Sequence, residues 1–242
     1  MPDTCDFNEL SRFYGLPPTP ESVLELTQLV ARQDCDLGEI AKVIANDPAL
    51  LQRLLRVANA RHEAGQSPDD AVQSALMRSG MGCVLLLAMG TPLSLALART
   101  FQTMLGLKLE SLAPGVAAPL EGNHVLGTIG FSGKAVGRVH LRLSLAGAKF
   151  VAARFLGLKP EELADARDID DAVGELLNII TGSFKSNLCD AGLDCHLEIP
   201  EVSRTVKIGT EPVPGGRLER LAFRCPEVVL FVDVTVNPWN QD

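Results

Sequence analysis

Asp171-Ala-Val-Gly-Glu175-Leu-Leu-Asn178 is the stretch on which the reading of this chain turns. With about 100° of rotation per residue, Asp171, Glu175 and Asn178 fall within roughly 60° of one another on a helix. Ile169, Ala172, Val173, Leu176, Ile179, Ile180 and Phe184 gather on the other side, so the polar face is not the core face. Gly174 and Gly182 stand one turn before and after Asn178, where no bulky side chain would screen its carboxamide. Such a face is open to another macromolecule. Function is not the only origin of this pattern: acidic residues early in a helix are favoured by its dipole, and a solvent-facing asparagine can be plain surface.

The composition narrows the partners. The chain has 242 residues, enough for one large or two small domains, and its 46% hydrophobic content supports packed cores. A formal net charge of −8, with no basic residues clustered between aromatics, offers a phosphate backbone little counter-charge, so nucleic acid is not expected. Cys5, Cys35, Cys83, Cys189, Cys195 and Cys225 form no CxxC pair, and no basic, apolar leader opens the chain. These features point to reduced thiols in a cytoplasmic protein. Ser79 to Ala98 carries no charge, about the length of a membrane span. Gly90-Thr91-Pro92 interrupts it, and Thr before Pro reads as a cap with proline at the first helical position, so two buried helices are expected there and no membrane.

Residues 1–90 read as helical throughout. One helix is expected from Pro20 to Arg32, with Thr19 as cap, and a second from Asp36 to Ala45, closed by Asn46-Asp47-Pro48 because the residue before proline leaves helical geometry. A third spans Pro48 to about Ala60 on the stripe Leu50, Leu51, Leu54, Leu55 and Ala58, and a fourth starts at Pro68 behind Ser67. Leu16-Pro-Pro-Thr-Pro20, Asp36-Leu37 through Ile44 to Asp47-Pro48-Ala-Leu50, Leu54-Leu55-Arg-Val-Ala-Asn59 and Ala71 to Gly80 together resemble the N-terminal part of an HDOD domain. That is a helical signalling module related in fold to HD-type metal phosphohydrolases, and the resemblance covers about half of one. Asn59 also reads as a helix C-terminal residue tolerant of left-handed geometry. The His-Asp pair of true HD enzymes is absent, since Glu63 follows His62, and no metal chemistry is expected.

From residue 91 to 242 the pattern becomes α+β. A helix from Pro92 through Phe101 and Leu105, ending at Gly106, gives way to extended segments, Val125–Phe131 and Ala135–Leu143, joined by a Ser132-Gly133 turn. A helix from Ala146 to Leu156 precedes the long one, from about Asp168 to Cys189. Strands follow near Cys195 to Ile199, Thr205 to Ile208, Leu218 to Cys225 and Val228 to Val236. Strands flanking long helices imply a largely antiparallel sheet.

Phe101-Gln-Thr-Met-Leu-Gly-Leu107, Gly127-Thr-Ile-Gly-Phe-Ser-Gly133 with Gly137, the triplet Asp171, Glu175 and Asn178, then Gly182, Lys185 and Pro200 occur in an order similar to the CheX branch of the CheC/CheX/FliY phosphatases. The resemblance spans about 150 residues. It implies an enzyme of chemotaxis or a related two-component pathway that removes the phosphoryl group from a CheY-type response regulator. Asn178 and Glu175 would then take the catalytic positions, Asn178 orienting a water with its donor and acceptor atoms and Glu175 pairing with the receiver's lysine. Asp171, Gly174, Gly182 and Pro200 would belong to the partner-binding surface, although Pro200 also reads as a strand end. The implied Mg²⁺ sits on the receiver, so the chain needs no cofactor of its own.

The competing reading is a signalling adaptor that docks a receiver or other partner through the same helix face and the helical half, without hydrolysis. His124, His140 and His196 lie far apart, Ser132 lacks the Gly-x-Ser-x-Gly elbow, and the glycines at 127, 130, 133 and 137 precede no Gly-Lys-Ser/Thr. Those glycines suit hairpin bends and close strand approaches. Apolar segments Leu221–Cys225 and Val228–Val234 would invite a homodimer if left as an unpaired edge.

Overall fold

Asp47 shows how the helical half is built. It is extended at φ −115°, ψ 104°, as a residue before proline should be, and so ends one helix and starts the next. Its carboxylate accepts the backbone N–H of Ala49 and Leu50 at 2.9 and 3.1 Å, and the Ser22 hydroxyl donates to it. The computed structural model describes residues 7–14, 16, 20–32, 34, 36–58, 65–79, 81–113, 122–133, 136–163, 165–190, 193–205 and 217–237. Among these the helical half comprises α1 (Phe7–Tyr14), α2 (Glu21–Ala31), α3 (Leu37–Asn46), α4 (Pro48–Val57) and α5 (Pro68–Ser79). The expected helices α2 to α5 are present. Asp36 caps α3 through Gly38 N–H, and Ser67 accepts from Asp70 N–H at the start of α5. Thr19 and Asn59 lie outside the described residues. Leu26, Ile40, Ile44 and Leu54 are fully buried, each worth about 1.5–3 kcal/mol of transfer free energy.

The two helices expected at Gly90-Thr91-Pro92 are instead one, α6 (Met81–Thr100), continued by a short π-helical segment Phe101–Leu105 and closed by left-handed Gly106. Pro92 removes one donor from the ladder. Tertiary packing overrides that local signal: α1, α2, α4 and α5 pack against α6, and so do the sheet and a further long helix. Met81–Leu105 is long and apolar enough to cross a membrane, yet 83% of its most apolar window is buried inside the protein.

After β1 (Glu110–Leu112) come β2 (His124–Gly133), β3 (Gly137–Ser144), α7 (Leu145–Leu156), α8 (Ala166–Asp190), β4 (Cys195–Leu197), β5 (Glu201–Thr205), β6 (Arg217–Arg224) and β7 (Val229–Val236). The strands form one antiparallel sheet in the order β1-β6-β7-β3-β2-β4, with β5 also on β2. The fold is α+β, as expected. Val125, Ile129 and Phe131 of β2 point to the helices, where the Phe131 and Phe184 rings meet edge to face at 6.2 Å. Gly127 lets α8 approach, since a Cβ there would stand 3.0 Å from Leu177.

One expectation is corrected and two others are delimited. Ser132-Gly133 is not the hairpin turn: the β2–β3 ladder ends at Phe131 opposite Gly137, and Ser132 and Gly133 pair with His196 and Cys195 of β4. Long-range pairing extends the strand through residues whose local chemistry suits a turn. Of the strand expected from Thr205 to Ile208, Thr205 is the last residue of β5, which pairs with β2 from Glu201 onward, and residues 206–208 lie outside the described part. Finally, β7 is paired on both sides, by β6 and β3, and β1 covers Ala222–Arg224 of β6, so the unpaired edge named as the condition for association is not offered by β7 or by that end of β6.

Candidate functional site

Helix α8 carries the site because its two faces differ. Ile169, Ala172, Val173, Leu176, Ile180 and Phe184 are buried, whereas Asp171, Glu175 and Asn178 are exposed, as the 3.6-residue period requires. The helix begins with Asp165 accepting the Arg167 N–H at 2.9 Å. Arg204 of β5 grips the same end, its guanidinium bonding both Asp170 oxygens and the Ala166 carbonyl at 2.7 Å. Asn187, a buried amide near the other end, donates to the Pro92 carbonyl of α6 at 3.0 Å. The helix is thus tied to the sheet edge and to α6, and its polar stripe is held in one orientation.

The two glycines differ. Gly182 is half-buried with open space where a side chain would begin, so it leaves the stripe beyond Asn178 unobstructed. Gly174 does not open the face: it is buried beneath β5, and a Cβ there would touch Val202 at 3.4 Å. Its role is close packing of helix on strand. The carboxamide of Asn178, with Glu175 one turn earlier and Asp171 beyond it, can offer a donor, an acceptor and negative charge to a visiting surface. No group of three His, Cys, Asp or Glu side chains among the described residues is arranged to hold a metal ion.

Pro200 lies in a β-bulge. Thr128 and Phe131 of β2 pair with Glu201 and Leu197, so Ile129 and Gly130 on one strand face Glu198, Ile199 and Pro200 on the other. The Glu198 N–H still bonds the Gly130 carbonyl at 2.9 Å, which leaves Ile199 and Pro200 together opposite Ile129. Proline suits this position because it has no N–H to give to a ladder. Ile199 beside it is 86% exposed.

The family model for chemotaxis phosphatase CheX matches residues 125–213, and that for the HDOD domain matches residues 16–119. The chain carries a CheX domain preceded by an HDOD region. Chemotaxis protein CheX from Vibrio vulnificus superposes with a TM-score of 0.53 at 24% identity, over 62% of this chain and 96% of that one. A CheC-like superfamily protein from Shewanella sp. PV-4 gives 0.53 at 23% identity over 62% and 97%. A CheX from Desulfovibrio desulfuricans gives 0.50 at 20% over 62% and 99%. These likenesses establish the fold. No curated protein matches the chain.

The CheX match contains α8 and the β4–β5 bulge, so Asp171, Glu175, Asn178, Gly182 and Pro200 all fall within it. The HDOD match runs past residue 90 to residue 119, and α6 crosses the boundary expected at 90/91. Ile199 and the Arg204–Asp170 clamp escaped the sequence reading. An isoleucine before a proline near a strand end was the available signal, but exposure of its side chain depends on a register set by β2. His140 has the structural role expected of it, 3.0 Å from the Thr128 hydroxyl and paired in register with Asp233.

Proposed function

We propose that the CheX domain hydrolyses the aspartyl phosphate of a phosphorylated CheY-type receiver, with Asn178 orienting the attacking water and Glu175 fixing the docked partner. What carries this reading is the exposed carboxamide of Asn178, projecting from α8 between Glu175 and the open Gly182, inside the segment matched by the chemotaxis phosphatase model. An aspartyl phosphate on a receiver already has a metal ion and a lysine beside it, so the component missing for hydrolysis is a water held in line. The water oxygen bonds to phosphorus as the bond to the aspartyl oxygen breaks. Aspartate and orthophosphate leave, and the water's proton goes to phosphate oxygens or solvent. A carboxamide orients without acting as a base. The Mg²⁺ is the receiver's, so the chain contributes geometry and charge.

The test is the lifetime of a phosphorylated receiver in Mg²⁺, with and without the full chain. The wild type should shorten it, and Asn178→Ala should remove about a hundredfold of the acceleration. Because the residue is exposed, unfolding free energy should change by no more than about 0.5 kcal/mol. Binding by the wild type with no acceleration would replace the hydrolase with the adaptor reading.

A further inference from the structure

The edge strand beside α8 holds one residue more than its partner, and the surplus places an aliphatic side chain in water next to the candidate site. Leu197 pairs with Phe131, whose ring packs on Phe184 of α8, and Val202 lies over Gly174, so both flanks of the bulge face the helix layer. Counting by alternation from Leu197 puts Ile199 on the helix side, and counting back from Val202 puts Pro200 there too. The bulge therefore brings two successive side chains to the same side.

Their height along α8 follows from two fixed points. Arg204 bonds Asp170, and Val202 meets Gly174, so four residues of helix match two of strand. The rises agree, about 6 Å for four helical residues and about 6.6 Å for two extended ones. One more step brings Pro200 level with Asn178, on the stripe that Gly174, Asn178 and Gly182 share. Ile199, 86% exposed, then flanks the carboxamide on the sheet-edge side, opposite the carboxylates of Asp171 and Glu175.

We propose that Ile199, held out by the Pro200 bulge, is a specificity-determining contact for the receiver, packing on an apolar patch beside its phosphorylated aspartate. This rests on the reading of Asn178 given above and divides the work: Asn178 acts on the water, Ile199 on residence of the partner. The acidic residues on one side and the isoleucine on the other define the surface that fits, with a cation and an aliphatic side chain on opposite flanks of the acyl phosphate.

Affinity and turnover must be read separately. The full chain is titrated with a labelled receiver activated by beryllium fluoride and Mg²⁺ to obtain Kd, and the phosphoryl lifetime is followed at saturating chain. Ile199→Ser should raise Kd about tenfold while lowering the saturated rate less than twofold, and Ile199→Val should hold Kd within about twofold of the wild type. Asn178→Ala should show the inverse split. If the wild type binds and Ile199→Ser binds equally well, the inference fails and the reading of Asn178 stands. If Ile199→Ser loses rate at saturation with Kd unmoved, the docking role is likewise overturned. A wild-type chain that neither binds nor accelerates the receiver overturns the receiver reading and this inference with it.

Discussion

At the scale of single residues, the difference between Glu175 and His140 is one of surroundings. Glu175 is exposed, so under the proposed function what it would offer a docked receiver is a charge felt through solvent and screened by salt. Glu175→Ala should slow association with the receiver severalfold at low ionic strength and much less at high salt, in stopped-flow traces over a salt series. Equal effects at both ionic strengths would assign the residue a short-range contact instead. His140 is buried, and burial pushes its pKa down to about 4, against the pull of Asp233 and with Arg138 and Arg142 adding to the depression. The unfolded imidazole titrates near 6.5, so below that pH the unfolded chain takes up a proton that the folded one refuses. Stability is lost as pH falls from about 6.5 toward 4, by up to about 3 kcal/mol. His140→Gln should flatten that part of the curve in denaturant titrations at pH 7, 5.5 and 4.5. The exposure of Asp171, Glu175 and Asn178 was legible in sequence because helical period alone decides it. Ile199 was not, since its position needs two strands to find the same neighbour.

At the scale of elements, sequence was most reliable where a cap or proline acts within a few residues. Asp36, Asp47, Ser67 and the helix α7, capped by Ser144 on Gly147 N–H at 3.0 Å, follow local rules. Local rules failed at Thr91-Pro92 and at Ser132-Gly133, both of which look like boundaries and sit inside elements, α6 and β2. In each case partners distant in sequence outweigh a preference worth a few kcal/mol at most. Asp47 permits a direct test of the local kind. Partial burial disfavours its charged form, but the Ser22 hydroxyl and the N–H groups of Leu50 and Ala49 outweigh that and hold its pKa below the ordinary carboxylate value. Asp47→Ala should cost about 1–2 kcal/mol at pH 7. Its stabilisation is full above the unfolded value near 3.9 and disappears as pH falls through the lower folded value, so wild type and variant should converge in acid melts. A constant gap down to pH 2 would show that the charge is not what caps α4.

At the scale of the molecule, the HDOD region and the CheX domain are joined through α6 and, among the described residues, through a buried ion pair that no sequence pattern announces, besides the exposed pair of Glu110 with Arg224. Arg53 of α4 meets Glu219 of β6, 166 residues away, with Nε to Oε1 at 2.5 Å and Nη2 to Oε2 at 2.9 Å, and its Nη2 also donates to the Leu87 carbonyl of α6 at 3.0 Å. Gly90 makes the room, because a Cβ there would collide with the guanidinium. The carboxylate is 7% exposed and the arginine side chain 23%, so the pair is largely withdrawn from water. In such a place the free energy lies less in the attraction than in the charge left behind when one partner goes. Glu219→Ala should therefore destabilise the chain by about 3 kcal/mol, while replacing both partners, Arg53→Met with Glu219→Leu, should return it to within about 1 kcal/mol of the wild type. Urea denaturation of the full chain followed by both far-UV signal and proteolysis of α1 to α5 distinguishes the outcomes. If the single variant melts in one transition at lower urea, the two regions unfold together and the pair serves the whole. If the helical region becomes protease-sensitive first, with the sheet transition unmoved, the pair is the fastening of an HDOD unit onto an independently stable CheX domain. A single variant as stable as the double would show that neither charge is held out of water and that α6 and the β1–β6 pairing join the two without it.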